Sequence, residues 1–175
     1  MNTYQIDPAH SSVSFSVKHM MIAKVHGAFE KLSGKLVYDA AAPNKSNIEV
    51  VIDASSINTH EAQRDTHLKS ADFFDVEKFP TINFKSTSIE GFGPEIKVIG
   101  DLNIHGVTQK VTLIVEGPTA EVKDPYGKLK IGASATTKIK RKDFGLTWNA
   151  ALEAGGVLVG DDININLDVQ FVKQV

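Results

Sequence analysis

Ser12–His19 reads SVSFSVKH, and its alternation decides the fold. Val13, Phe15 and Val17 fall on one face, while Ser12, Ser14, Ser16 and Lys18 fall on the other. Successive side chains of an extended chain point to opposite sides, so this period of two marks a strand with one dry face and one wet face. The pattern returns in both directions along the chain. Ile48, Val50 and Ile52 oppose Glu49, Val51 and Asp53, and Ile82 and Phe84 oppose Asn83 and Lys85. Ile96, Val98, Leu102 and Ile104 share a face that continues through Gly100, and Val111, Leu113 and Val115 oppose Lys110, Thr112 and Glu116. Leu129, Ile131, Ala133, Ala135 and Ile139 oppose Lys130, Ser134, Thr136 and Lys138. The last run sets Ile163, Ile165, Leu167, Val169 and Phe171 against Asn164, Asn166, Asp168 and Gln170.

With a weaker stretch at Phe29–Tyr38, these runs predict about eight strands. His105-Gly106-Val107-Thr108 and Asp124-Pro125-Tyr126-Gly127 supply turn chemistry between neighbours, which makes the strands antiparallel. The segment from Asn58 to Ser70 has no alternation and is rich in helix formers. Asn58 followed by Glu61 resembles a capping box, so a helix is expected from there to about Ala71–Phe74, ahead of Pro80. His60, Arg64 and His67 would share one face of it. No linker or repeat divides the 175 residues, so residues 1–175 read as a single domain. A closed barrel and a two-sheet sandwich both satisfy this pattern.

Composition removes several classes of function. There is no cysteine, hence no disulfide, thiolate metal site or cysteine nucleophile. Lys and Arg number 19 against 21 Asp and Glu, and Arg64 and Arg141 are the only arginines, so a nucleic-acid partner is not expected. No apolar run approaches the roughly 20 residues that span a bilayer. The opening Met-Asn-Thr-Tyr-Gln-Ile-Asp-Pro is neither basic nor apolar, which predicts a cytoplasmic protein, or a periplasmic one if Met1 is not the native start. The six histidines form neither His-x-x-x-His nor His-Glu-x-x-His, and Gly-x-Ser-x-Gly is absent. No metal, cofactor or catalytic residue is expected on these grounds.

Four further runs carry a resemblance: DPAHSSVSFSVKHM (Asp7–Met20), RDTHLKSADFFDVEKFP (Arg64–Pro80), GDLNIHGVTQKVTL (Gly100–Leu113) and KDFGLTWN (Lys142–Asn149). Together, in this order and spacing, the chain resembles the YceI-like family of polyisoprenoid-binding proteins. The resemblance implies an all-β fold with one short helix, a lipocalin-like antiparallel barrel of about eight strands around an apolar cavity. It implies a non-catalytic protein that binds, stores or transports a long-chain isoprenoid or similar lipid, such as a polyprenyl diphosphate or a quinone precursor. It also implies a homodimer. Leu68-Lys69-Ser70 departs from the Leu-Arg-Ser common among relatives, which keeps the charge and loses the bidentate fork.

On this reading the lipid tail would lie against Val13, Phe15, Val17, His19, Met20, Met21, Phe29, Leu68, Phe73, Phe74, Ile82, Phe84, Trp148, Leu167, Val169 and Phe171. Each of these also reads as ordinary core. Arg64, His67 and Asn149 are the head-group candidates, since guanidinium and imidazole suit a diphosphate. The alternative for Arg64 is pairing with Asp65, Asp72 or Asp75 to fix the helix. Lys138, Lys140, Arg141 and Lys142 form a charge run that reads as a solvated face, or as a basic rim for transient contact with a membrane surface. The runner-up function is an enzyme or stress-response factor acting on a small apolar substrate in the same cavity.

Overall fold

The computed structural model describes residues 1–91, 93–153 and 156–175. Its strands are β1 (Asn2–Ile6), β2 (Ser12–His19), β3 (Ala23–Phe29), β4 (Leu32–Tyr38), β5 (Asn47–Asp53), β6 (Ile57–Asn58), β7 (Thr81–Glu90), β8 (Ile96–Ile104), β9 (Val107–Glu116), β10 (Val122–Lys123), β11 (Leu129–Lys140) and β12 (Val159–Lys173). Among the described residues there is one α-helix, α1 (Ala62–Lys69), between β6 and β7.

Hydrogen bonding rolls these strands into a closed antiparallel barrel of eight staves. Three staves are broken. β1 and β2 run end to end along β12, β3 and β4 run along β2 and β1, and β5 and β6 run along β4 and β3. The breaks follow from local chemistry. Asp7 accepts from the Ala9 amide at 3.1 Å and Pro8 has no amide to give a ladder, so a turn replaces the strand there. Asp53 does the same for the Ser55 amide at 3.0 Å. The Lys31 amide leaves its ladder to donate to Ser56 Oγ at 3.1 Å. β12 pairs with β11 on one side and with β2 and β1 on the other, so first and last staves meet and no edge is left between them. The barrel, not the sandwich, is therefore the fold.

Inward positions carry the alternating apolar residues named above, and two inward glycines make room for rings. A Cβ on Gly27 would lie 2.5 Å from the Phe15 ring, and one on Gly100 would lie 2.6 Å from the Phe84 ring. Gly27 also explains why β3 is faint in the sequence: its inward row reads Val25, Gly27, Phe29, and the glycine interrupts the apolar signal. The weak stretch expected at Phe29–Tyr38 is in fact the end of β3, a break at Glu30 and Lys31, and β4.

The helix starts later than the capping box suggests. Asn58 belongs to β6, and its Oδ1 accepts from the His60 amide at 2.8 Å. Glu61 is the cap itself and accepts from the Gln63 and Arg64 amides at 3.2 and 2.6 Å. His60 sits between them with a φ of 63°, which no helix can absorb. Residues 117–128 cross the opposite end of the barrel and are held by two polar clusters. Tyr4 donates to Glu121 Oε1 at 2.6 Å beside Lys173 at 2.8 Å. Burial, then the bond to Glu121, pushes the Tyr4 hydroxyl up to about 12. Lys130 bridges Asp7 at 2.9 Å and Asp124 at 3.5 Å.

Candidate functional site

The barrel axis encloses a cavity of about 260 Å³. An apolar cavity of about 150 Å³ takes one benzene ring, so by the same measure this space admits on the order of ten carbon atoms. Its wall is almost wholly apolar. Val111, Leu113 and Val115 on β9, with Ile163, Ile165, Leu167 and Val169 on β12, point inward yet keep part of their surface uncovered. They pack against the core cluster and leave their remaining apolar surface to the cavity. Among the described residues, hydroxyl groups reach the wall at Tyr38, Ser46, Ser134 and Thr137. Thr137 donates to the Thr112 carbonyl at 2.9 Å, and Ser46 accepts from the Asp39 amide at 2.9 Å.

Twelve of the tail candidates line this cavity: Val13, Phe15, Val17, Phe29, Leu68, Phe73, Phe74, Ile82, Phe84, Leu167, Val169 and Phe171. β2, β7 and β12 deliver most of them by alternation. Phe73 and Phe74 arrive from the turns after α1, where Phe74 meets Phe29 edge-on at 5.7 Å. His19, Met20, Met21 and Trp148 do not line it. His19 is the last residue of β2, and the turn that follows carries Met20 and Met21 away from the axis into solvent. Trp148 packs over the helix end, 4.7 Å from His67 and 5.3 Å from Phe73.

The head-group candidates do not converge, and each is committed elsewhere. Arg64 Nε and Nη2 donate to Thr59 Oγ1 at 2.8 Å and to the Thr59 carbonyl at 2.7 Å. Asp65 takes the Thr59 amide at 2.9 Å, so the two charges clamp the chain entering α1. Pairing of Arg64 with Asp65, Asp72 or Asp75 is replaced by this clamp. His67 Nε2 lies 2.8 Å from Asp72 Oδ2. Asn149 donates to the Val159 carbonyl at 2.8 Å and accepts from the Val159 amide at 3.0 Å, acting as a strand partner for β12.

The charged residue that reaches the cavity wall, beside those hydroxyl groups, is Arg141. It is 3% exposed, not part of a solvated rim. Its Nε donates to the Gly160 carbonyl at 2.9 Å, and its Nη1 donates to the Leu146 and Trp148 carbonyls at 2.8 and 2.9 Å. Its Nη2 donates to the Val159 carbonyl at 3.3 Å. Burial pushes its pKa down, and Asp161 pushes it back. Period two carried one step beyond Ile139 would have found it, because Lys138 and Lys140 face out and residue 141 must then face in. Among the described residues, no three His, Asp or Glu side chains gather to hold a metal ion.

A family model described as the YceI-like domain matches residues 4–171. The chain belongs to the YceI-like domain family. It is 36% identical over 171 residues to a UPF0312 protein of Staphylococcus aureus strain N315, covering 98% of each chain. The crystal structure of a Campylobacter jejuni YCEI protein is 33% identical, covers 90% of each chain and superposes with a TM-score of 0.73. A polyisoprenoid-binding domain from Saccharophagus degradans superposes with a TM-score of 0.71 at 16% identity, covering 99% of this chain and 100% of that one, which shows the shared barrel. In this YceI-like chain the barrel therefore has solved counterparts.

Proposed function

We propose that this YceI-like chain binds a long-chain isoprenoid or similar lipid in its axial cavity and stores or carries it without changing it chemically. The observation that carries the proposal is the uncovered apolar wall, supported by the polyisoprenoid-binding domain that shares the fold. Burying one methylene is worth roughly 0.8 kcal/mol, so about ten enclosed carbons give on the order of 8 kcal/mol. Lost motional freedom takes back about 4–15 kcal/mol, and the surplus sets the affinity. Polar contacts are not required for binding.

The same wall favours a weakly polar head group, such as that of a quinone precursor, over a diphosphate. An ionised phosphate inside an apolar cavity carries a large desolvation penalty. The one cation at the wall, Arg141, already donates to four carbonyls. Binding without catalysis belongs to the same reading, and the polyisoprenoid-binding domain that shares the fold supports it. The homodimer belongs to this proposal, and light scattering tests it: a mass of twice 19.0 kDa supports it, and a single-chain mass removes it.

The test of function is organic extraction of protein purified without detergent, followed by mass spectrometry. A near-stoichiometric long-chain isoprenoid is the expected result. An extract free of chain lipids contradicts the proposal.

A further inference from the structure

The hairpin between β2 and β3 ends in Met20, Met21 and Ile22, which are 43%, 61% and 84% exposed. Val157, 42% exposed, adds to the same apolar surface through the loop that packs on Met21 at Gly156. Met20 and Met21 hold φ values of 52° and 61°. Left-handed positions in a hairpin loop are the province of Asn and Gly, because this backbone strains other side chains. Here two bare thioether chains occupy the strained positions, both partly exposed, with Met21 resting on Gly156 of the adjoining loop.

Charge surrounds the tip. Lys18 and Lys24 stand directly opposite each other across β2 and β3, a like-charge pair that the sheet itself disfavours. Neither has a carboxylate within ion-pair distance among the described residues. Lys18 lies against Gly160 of β12, whose neighbours carry Lys138, Lys140 and Lys142. Asp162 pairs with Lys138 and Lys140, and Asp161 receives the Lys142 amide. Lys138 and Lys140 are thus offset by Asp162, and Lys18 and Lys24 remain as the cations that flank the tip, on a chain whose net charge is −2.

We propose that this hairpin tip docks the protein on an anionic bilayer surface, with Met20, Met21 and Ile22 entering the headgroup boundary and Lys18 and Lys24 meeting lipid phosphates. Exposed apolar side chains flanked by unpaired lysines are the composition of an interfacial anchor. A protein surface that mates with another protein is depleted in lysine, which argues against a second copy as the occupant. The tip stands at the helix end of the barrel and is outside the cavity, so docking is independent of what the cavity holds.

The test is sedimentation of delipidated protein with phosphatidylcholine vesicles, with and without phosphatidylglycerol. Binding is expected only where phosphatidylglycerol is present, and it weakens as salt shortens the screening length. Met21→Ser with Ile22→Ser lowers the partition coefficient by about tenfold or more. Lys18→Ser and Lys24→Ser each lower it by about fivefold. All four positions lie at an exposed hairpin end, and an unchanged melting temperature confirms that the fold is intact. Equal binding to neutral vesicles, no binding to either kind, or variants that bind like the parent overturn the proposal. Loss of a dimer in the tip variants with vesicle binding unchanged overturns it as well and makes the tip a self-association surface.

Discussion

Ala135→Phe separates an empty barrel from a filled one by the sign of its effect. Ala135 lies midway along β11, buried, between Leu167 of β12 and Val115 of β9, and all three line the cavity. A phenyl ring placed there enters space that holds no side chain. Burying it stabilises the fold by about 1.5–3 kcal/mol. At about 2–4 °C for each kcal/mol in a chain of this size, the melting temperature rises by roughly 3–12 °C. A solid core would respond in the opposite direction, since overpacking costs about 1–3 kcal/mol. The ring also displaces about six methylene-sized groups of ligand, worth roughly 5 kcal/mol. At 1.4 kcal/mol for each factor of ten, lipid affinity falls by about three powers of ten. Calorimetry and a fluorescent-lipid titration read the two effects. Thr136→Phe, on the exposed outer face, controls for strand preference and leaves affinity unchanged. A destabilised Ala135→Phe, or one that binds lipid like the parent, refutes the reasoning.

Arg141→Met strips hydrogen bonds from four carbonyls and is expected to destabilise the protein by about 3–6 kcal/mol, read as a fall in the urea midpoint. Arg64→Gln and His67→Gln lower stability while leaving lipid affinity within about twofold, because both side chains lie outside the cavity; a large affinity loss would return them to the site. The Lys130 ammonium, then His10, holds the Asp7 carboxyl down at about 2, against 3.8 in the unfolded chain. Its stabilisation is complete above about pH 4 and fades as pH falls towards 2. Melting temperature should drop across that window, and Asp7→Asn should flatten the drop.

Most of the barrel was legible because one physical rule, side chains alternating across a wall that is dry inside and wet outside, is written into β2, β5, β8, β11 and β12. The rule fails where function of the backbone overrides it. Gly27 had to be small for the Phe15 ring, and so β3 lost its signature. Closure was not legible from alternation, since a sandwich buries one face of each strand equally well. At the site, the tail residues followed from the strand faces, while the head-group candidates were chosen by chemistry alone. Charge and hydrogen-bonding capacity identify what Arg64, His67 and Asn149 can do, but their local partners Thr59, Asp72 and Val159 decide what they do. Arg141 was hidden inside a run of lysines whose neighbours face outward.

The central claim, that an apolar chain occupies the barrel axis, is met most directly by native mass spectrometry of delipidated protein offered isoprenoid alcohols of increasing length. The expected result is a one-to-one adduct whose affinity climbs with chain length, levels off once the cavity is full, and disappears in Ala135→Phe. No adduct at any length, or an adduct equally strong in the filled variant, would contradict it.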